Sequence, residues 1–155
     1  MASPSTTEES KVAPTLEVRR TIRAPQQRVF DAWTKADELK RWHAPGPLTV
    51  SLAEIDLRVG GSYRIHMREP GGAEHRVTGV YREVDPPRRV VYTWTWEDAS
   101  DVQNSVVTLE FIARGENTEV VLRHEGFETT TQRDSHESGW TSIVEKLAAQ
   151  FDHGS

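Results

Sequence analysis

The first candidates for chemistry in this chain are its six histidines, His43, His66, His75, His124, His136 and His153. No two are three or four residues apart, and the chain has no Cys, so no local metal-ligand spacing is present and no metal is expected. Absence of Cys also removes a thiol nucleophile and a disulfide framework. The run Asp56-Leu57-Arg58-Val59-Gly60-Gly61 has the look of a catalytic or phosphate-cradling string. A phosphate loop wants a helix after its glycines, whereas Ser62 to Met67 alternates like a strand, so the glycines are expected to serve a tight turn, with Asp56 and Arg58 paired on one face. No Gly-x-Ser-x-Gly elbow occurs, and Glu54 with Asp56 is a carboxylate pair without a partner to shift its pKa. No residue stands out as catalytic, and no cofactor is expected.

The five tryptophans, Trp33, Trp42, Trp94, Trp96 and Trp140, carry more information. Trp94 and Trp96 share strand parity with Val90 and Tyr92, which puts all four on one sheet face. His124 shares parity with Val120 and Leu122, so it is expected to point inward and hydrogen-bond within the fold; Tyr63 points inward by the same rule and His66 outward.

The elements that must position these residues follow from periodicity. Residues 1–15 have little to bury and are expected to form a disordered tail. Leu16, Val18 and Ile22 mark a half-buried strand. Pro25 opens a helix carrying Val29, Phe30 and Trp33, and a second short helix is expected over Asp37 to Trp42. Strands are expected at about 48–57, 62–68, 74–84, 89–97, 105–113 and 118–124. Their short connections make neighbours antiparallel. Trp140, Ile143, Val144, Leu147, Ala148 and Phe151 form one stripe of a long helix, expected from about Ser135 to Phe151, with 152–155 fraying. The expected fold is α+β: a curved antiparallel sheet of about seven strands gripping a C-terminal helix, one domain over 16–151.

A formal charge of −5 argues against nucleic acid as a partner, and no apolar run is long enough to span a membrane. No basic-flanked apolar leader is visible, so the cytoplasm is the expected location.

Several motifs in order resemble one family. Ala24-Pro25 through Val29-Phe30-Asp31-Ala32-Trp33, Leu39-Lys40-Arg41-Trp42, the Asp56–Gly61 string, Asp85-Pro86-Pro87 with Val91 to Trp96, Leu122 to Phe127, and Gly139-Trp140 are similar to the domain named after the activator of the heat-shock protein 90 ATPase. That family is part of the START-like, helix-grip superfamily that includes the birch-pollen allergen. The resemblance covers about residues 16–151 and implies the helix-grip fold. Members of the superfamily bind lipids and polyketides, act as cyclases or have no known role, so fold does not select an activity. The eukaryotic activator carries an additional N-terminal domain, whereas about 15 unpatterned residues precede the first strand here, which argues against a chaperone partner.

The leading expectation is a binding module for an apolar, aromatic or lipid-like small molecule, held in a cavity between sheet and helix. Trp42 is expected at the mouth, Tyr63, Tyr92, Trp94 and Trp96 along the wall, Trp140 and Val144 on the helix, and His124 or Glu54 as orienting polar groups. Two alternatives stay open: an enzyme of cyclase or hydrolase type using the same cavity, and a protein-interaction module, either a co-chaperone of heat-shock protein 90 or a dimer.

Overall fold

A computed structural model describes residues 14–98 and 103–152. Most of the expected tail, His153 and part of the 99–104 turn lie outside the described residues. Strand β1 (Thr15–Ile22) is followed by helices α1 (Gln26–Thr34) and α2 (Ala36–Leu39). Then come β2 (Thr49–Ile55), β3 (Ser62–Arg68), β4 (Glu74–Asp85), β5 (Arg89–Trp96), β6 (Ser105–Arg114), β7 (Asn117–Glu125) and helix α3 (Thr130–Phe151).

The strands form one seven-stranded sheet in the order β1-β7-β6-β5-β4-β3-β2, every pair antiparallel. The helix-grip expectation is met. Strands β1 and β2, successive in the chain, are the two edges of the sheet. The helices α1 and α2 and the 40–48 loop carry the chain from one edge to the other.

Alternation decides which side chains face α3. Tyr63, Ile65 and Met67 of β3, Val90, Tyr92 and Trp94 of β5, and Val107, Leu109 and Phe111 of β6 are buried, while Arg64 and Glu110 between them reach solvent or its edge. The outer face carries charge pairs such as Arg123 with Glu17 and Arg114 with Glu119. Exposed pairs of this kind contribute a few tenths of a kcal/mol each.

Two glycines are required by close approach. A Cβ on Gly61 would sit 2.1 Å from the Asp56 carbonyl oxygen, inside the turn that Arg58 closes by bonding the Asp56 carboxylate at 2.9 and 3.1 Å. That accounts for the Asp56–Gly61 string structurally. A Cβ on Gly79 would meet Thr93 O at 1.9 Å and the Tyr63 ring at 2.6 Å. Gly79 thus lets the Tyr63 ring lie across β4.

Helix α3 begins five residues earlier than the apolar stripe alone suggests. Thr129 caps it, its hydroxyl accepting from the Gln132 N–H at 3.0 Å, and the Gln132 side chain accepts from the Glu128 N–H at 2.9 Å. This Thr-x-x-Gln spacing is that of a capping box, with the Gln132 side chain reaching one residue past the cap, and it is legible in the sequence beneath a stretch that otherwise reads as polar loop. The second helix is shorter than expected, ending at Leu39, with Lys40 to Trp42 continuing as turn.

Candidate functional site

The interior between sheet and helix has two unlike ends. At one end Tyr63, Tyr81 and Tyr92 pack ring to ring, with centroids 5.1–5.7 Å apart. Tyr63 donates to Thr93 O at 2.6 Å, and the Tyr92 hydroxyl accepts from Trp33 Nε1–H at 3.2 Å. Burial raises the pKa of all three phenols, so they stay protonated. The space left among them, Trp33, Leu39, Ile55 and Ile65 is about 10 Å³, room for one water at most. The part of the expected cavity along Tyr63 and Tyr92 is therefore filled by the chain's own side chains. Tyr63 and Tyr92 belong to that closed end.

At the other end the grip opens. A cleft of about 300 Å³ lies between the N-terminal half of α3 and the ends of β3, β4 and β5. Trp94 and Trp96 form one wall, Trp140, Ile143 and Gly139 the helix side, Met67 the floor and Pro45 with Leu48 a third side. His75, Ser135 and His136 supply its polar edge. Trp94 and Trp140 are buried, their rings 4.7 Å apart, while Trp96 is half-buried.

Two indole–imidazole pairs brace this end. Trp140 Nε1–H donates to His124 Nδ1 at 2.9 Å, which leaves the His124 proton on Nε2, where it faces Ser105 Oγ at 2.8 Å; that hydroxyl donates to Trp94 O at 2.7 Å. Trp96 Nε1–H donates to His136 Nε2 at 3.0 Å, so His136 carries its proton on Nδ1, which faces Gln132 O at 2.8 Å. Burial, with the neighbouring His136, lowers the His124 pKa from its ordinary 6.5 to about 2. His124 is thus a neutral structural hub pointing inward, as strand parity suggests. It stands behind Trp94 and Trp140 and does not line the cleft.

Behind the same tryptophans sits His43, fully buried among Trp33, Trp42, Trp94 and Trp140, with ring centroids 5.4–6.1 Å away. Neither of its ring nitrogens has a hydrogen-bond partner among the described residues, and neither do Trp42 Nε1 and Trp94 Nε1. Burial lowers the His43 pKa to about 4.

Of the side chains singled out from sequence, the cleft gathers Trp94, Trp96 and Trp140. Trp42 is buried against Trp33, rings 4.7 Å apart, rather than standing at the mouth. Val144 is buried one residue beyond the lining Ile143, and Glu54 is exposed near the end of β2 beside Asp56, outside the cleft. His136 was readable only as one of six scattered histidines, yet it sits four residues before Trp140 and so on the same helix face. Pro45 was readable only as helix-ending chemistry, and Leu48 only as the start of a strand. Nothing local marks His43 as a core residue. Among the described residues no cluster of His, Asp and Glu could hold a metal ion, and no helix is long and apolar enough to cross a membrane.

Known proteins share this frame. A crystal structure of a protein from Chromobacterium violaceum is 26% identical, covers 90% of this chain and 98% of its own, and superposes with a TM-score of 0.83. An AHSA1 protein from Silicibacter pomeroyi is 27% identical, with 90% and 98% coverage and a TM-score of 0.78. The solution structure of an AHSA1-like protein from Aeromonas hydrophila, 22% identical with a TM-score of 0.74, covers 92% of this chain and 98% of its own and agrees in fold. A search of curated proteins found no match. The model of the Activator of Hsp90 ATPase homolog 1-like protein family matches residues 23–152, which takes in both ends of the core, the cleft and the helix that closes them, and the chain belongs to that family.

Proposed function

We propose that the protein binds a small, flat, uncharged apolar molecule in the cleft between β5 and α3. The observation that carries this reading is the open space of about 300 Å³ walled by Trp94, Trp96 and Trp140 where β5 and the N-terminal half of α3 part. That volume is at the lower end of the roughly 300–1,000 Å³ range of small-molecule pockets, which fits a one- or two-ring ligand. Stacking on indole faces and burial of about 200 Å² of ligand surface would supply roughly 5 kcal/mol before the costs of association, a weak-to-moderate binder. Ser135 at the edge offers an orienting hydrogen bond, while His75 Nε2 is already paired with Glu69 Oε2 at 2.5 Å.

The side-chain chemistry favours binding over catalysis. The lining residues include no carboxylate. Both ring nitrogens of His136 are occupied, one by the Trp96 N–H and one at the Gln132 carbonyl, so a proton-transfer role would first break the brace of the cleft wall. A broad docking surface finds little support: among the described residues the large hydrophobic side chains that are exposed are Val59 and Val80.

Tryptophan fluorescence titrated with neutral one- and two-ring aromatics tests the reading. A saturable change that Trp96→Ala abolishes is expected. A flat response across the panel, with no movement of the Ser135–Ile143 amide resonances, rejects it.

A further inference from the structure

Beyond the aromatic cleft, the 43–48 loop has a second concavity on its other side. The loop is tied down onto α3 twice: the Gly46 N–H donates to Ser142 Oγ at 2.8 Å, and Lys146 Nζ donates to Ala44 O at 2.5 Å and to Leu48 O at 3.3 Å. Leu48 lines the aromatic cleft on one side of this strap and a cleft of about 270 Å³ on the other. The second cleft runs on along the same face of α3, from Lys146 to Gln150, toward the edge strand β2.

Its lining sets it apart from the aromatic cleft. Lys40, Arg41 and Lys146 surround it, with no carboxylate, over an apolar floor of Trp42, Leu48 and Val50. The chain is acidic overall, and its other cations are mostly neutralised: among the described residues Arg23, Lys40, Arg41, Arg82 and Lys146 alone of the Lys and Arg side chains lack a described carboxylate within 4.0 Å. Three of those five converge on this one cleft. Lys146 is half-buried, and its ammonium's hydrogen-bond partners among the described residues are two backbone carbonyls; loss of water around it lowers its pKa. A charge withdrawn from water is ordinarily paired, because carbonyls compensate only part of the lost hydration. An arriving anion would complete the pairing, and an Arg guanidinium beside it supplies a fork that matches a carboxylate.

We propose that this second cleft binds the carboxylate of a small amphiphilic acid, with Lys146 at its inner end, Arg41 and Lys40 at its rim, and the hydrocarbon of the acid on Trp42, Leu48 and Val50. The apolar floor selects an organic monoanion over inorganic phosphate, whose remaining oxygens would be stripped of water against side chains that cannot bond them. The site shares Leu48 with the aromatic cleft but does not depend on that cleft being occupied.

The test is an amide-resonance titration of the full chain with hexanoate, hexanol and inorganic phosphate in parallel. Saturable shifts confined to residues 40–50 and 146–150 with hexanoate, weakened by added salt, are expected, with much smaller shifts for hexanol and phosphate. The exposed Arg41→Ala and Lys40→Ala changes leave the core untouched and should together weaken hexanoate about tenfold, the worth of a charge-assisted contact. Lys146→Met should abolish the shifts, and its own spectrum shows whether the strap has kept its place. Equal response to phosphate means the cleft reads charge alone and overturns the amphiphile assignment. Equal response to hexanol, shifts only at Ser135–Ile143, or an affinity unchanged in the Arg41/Lys40 double variant overturns the site.

Discussion

The tyrosine end and the tryptophan end of the core are adjacent stretches of one strand: Tyr92 closes the first, and Trp94, two residues on and on the same face, opens the second. At the tyrosine end the Tyr63 and Tyr92 hydroxyls are satisfied within the fold, and the space remaining is about 10 Å³. At the tryptophan end, Trp96 and Trp140 find histidine acceptors, while Trp42, Trp94 and His43 keep buried nitrogens without a described partner, and about 300 Å³ stands open alongside. Aromatic side chains thus produce a packed core in one place and a recess in the other. A phenol places its polar atom at the far tip, where a strand carbonyl can take it. An indole carries its N–H on the side, and packing several indoles together leaves some of those donors facing other rings.

If the closed end is the stabilising half, deleting a ring there has the largest effect. Tyr92→Ala is expected to cost about 3–5 kcal/mol, since it leaves a cavity and removes the acceptor of the Trp33 N–H. Urea denaturation measures this, and a loss below about 1 kcal/mol would break the comparison.

The open end should instead show itself through pH. His43 and His124 are neutral when folded because burial depresses their pKa values to about 4 and about 2. The unfolded chain takes up protons below about pH 6.5 and the folded chain does not, so stability is fully present above that pH and falls as pH drops toward the folded values. For His43 the loss between pH 7 and pH 4 is about 3 kcal/mol. His43→Leu should keep that amount while the His124 share is still lost. Paired urea melts of both proteins at the two pH values would show it, and parallel pH profiles would refute it.

Smaller effects sharpen the contrast. Trp96→Ala removes a half-buried ring from the cleft wall and should cost only about 1–2 kcal/mol while eliminating the ligand-induced fluorescence change. A stability loss equal to that of Tyr92→Ala would mean the two ends do not differ in kind. Thr129→Ala removes the cap of α3 and should cost about 1 kcal/mol, read as faster amide exchange in the first turn, next to the cleft-lining Ser135 and His136. Exchange spread evenly over the helix would show that the cleft wall is no looser than the rest.

Much of this arrangement was legible along the chain. The alternation of Tyr63, Ile65 and Met67 with Arg64 and His66 assigns inside and outside correctly, and parity alone turns His124 inward. The stripe from Trp140 to Phe151 marks the gripping helix, and the Asp56–Gly61 string is rightly a turn. The start of α3 was also legible, in Thr129 and Gln132, but capping carries no hydropathy and a polar stretch hides it. Which aromatic side chains share a recess was not legible: Trp42, expected at the mouth, is sealed against Trp33, and Tyr63 and Tyr92 fill the space they were expected to line.

Periodicity is a local, two-valued property. The inner and outer residues of β3, β5 and β7, the order of elements and the helix-grip architecture therefore followed from residue types a few positions apart. Tertiary structure alone decided that β1 and β2 become opposite edges, that His43 is enclosed by four tryptophans, and that space survives at one end of the core. Such outcomes depend on small differences between the summed volumes of side chains from separate strands and helices, and on which polar atoms meet once those elements are packed.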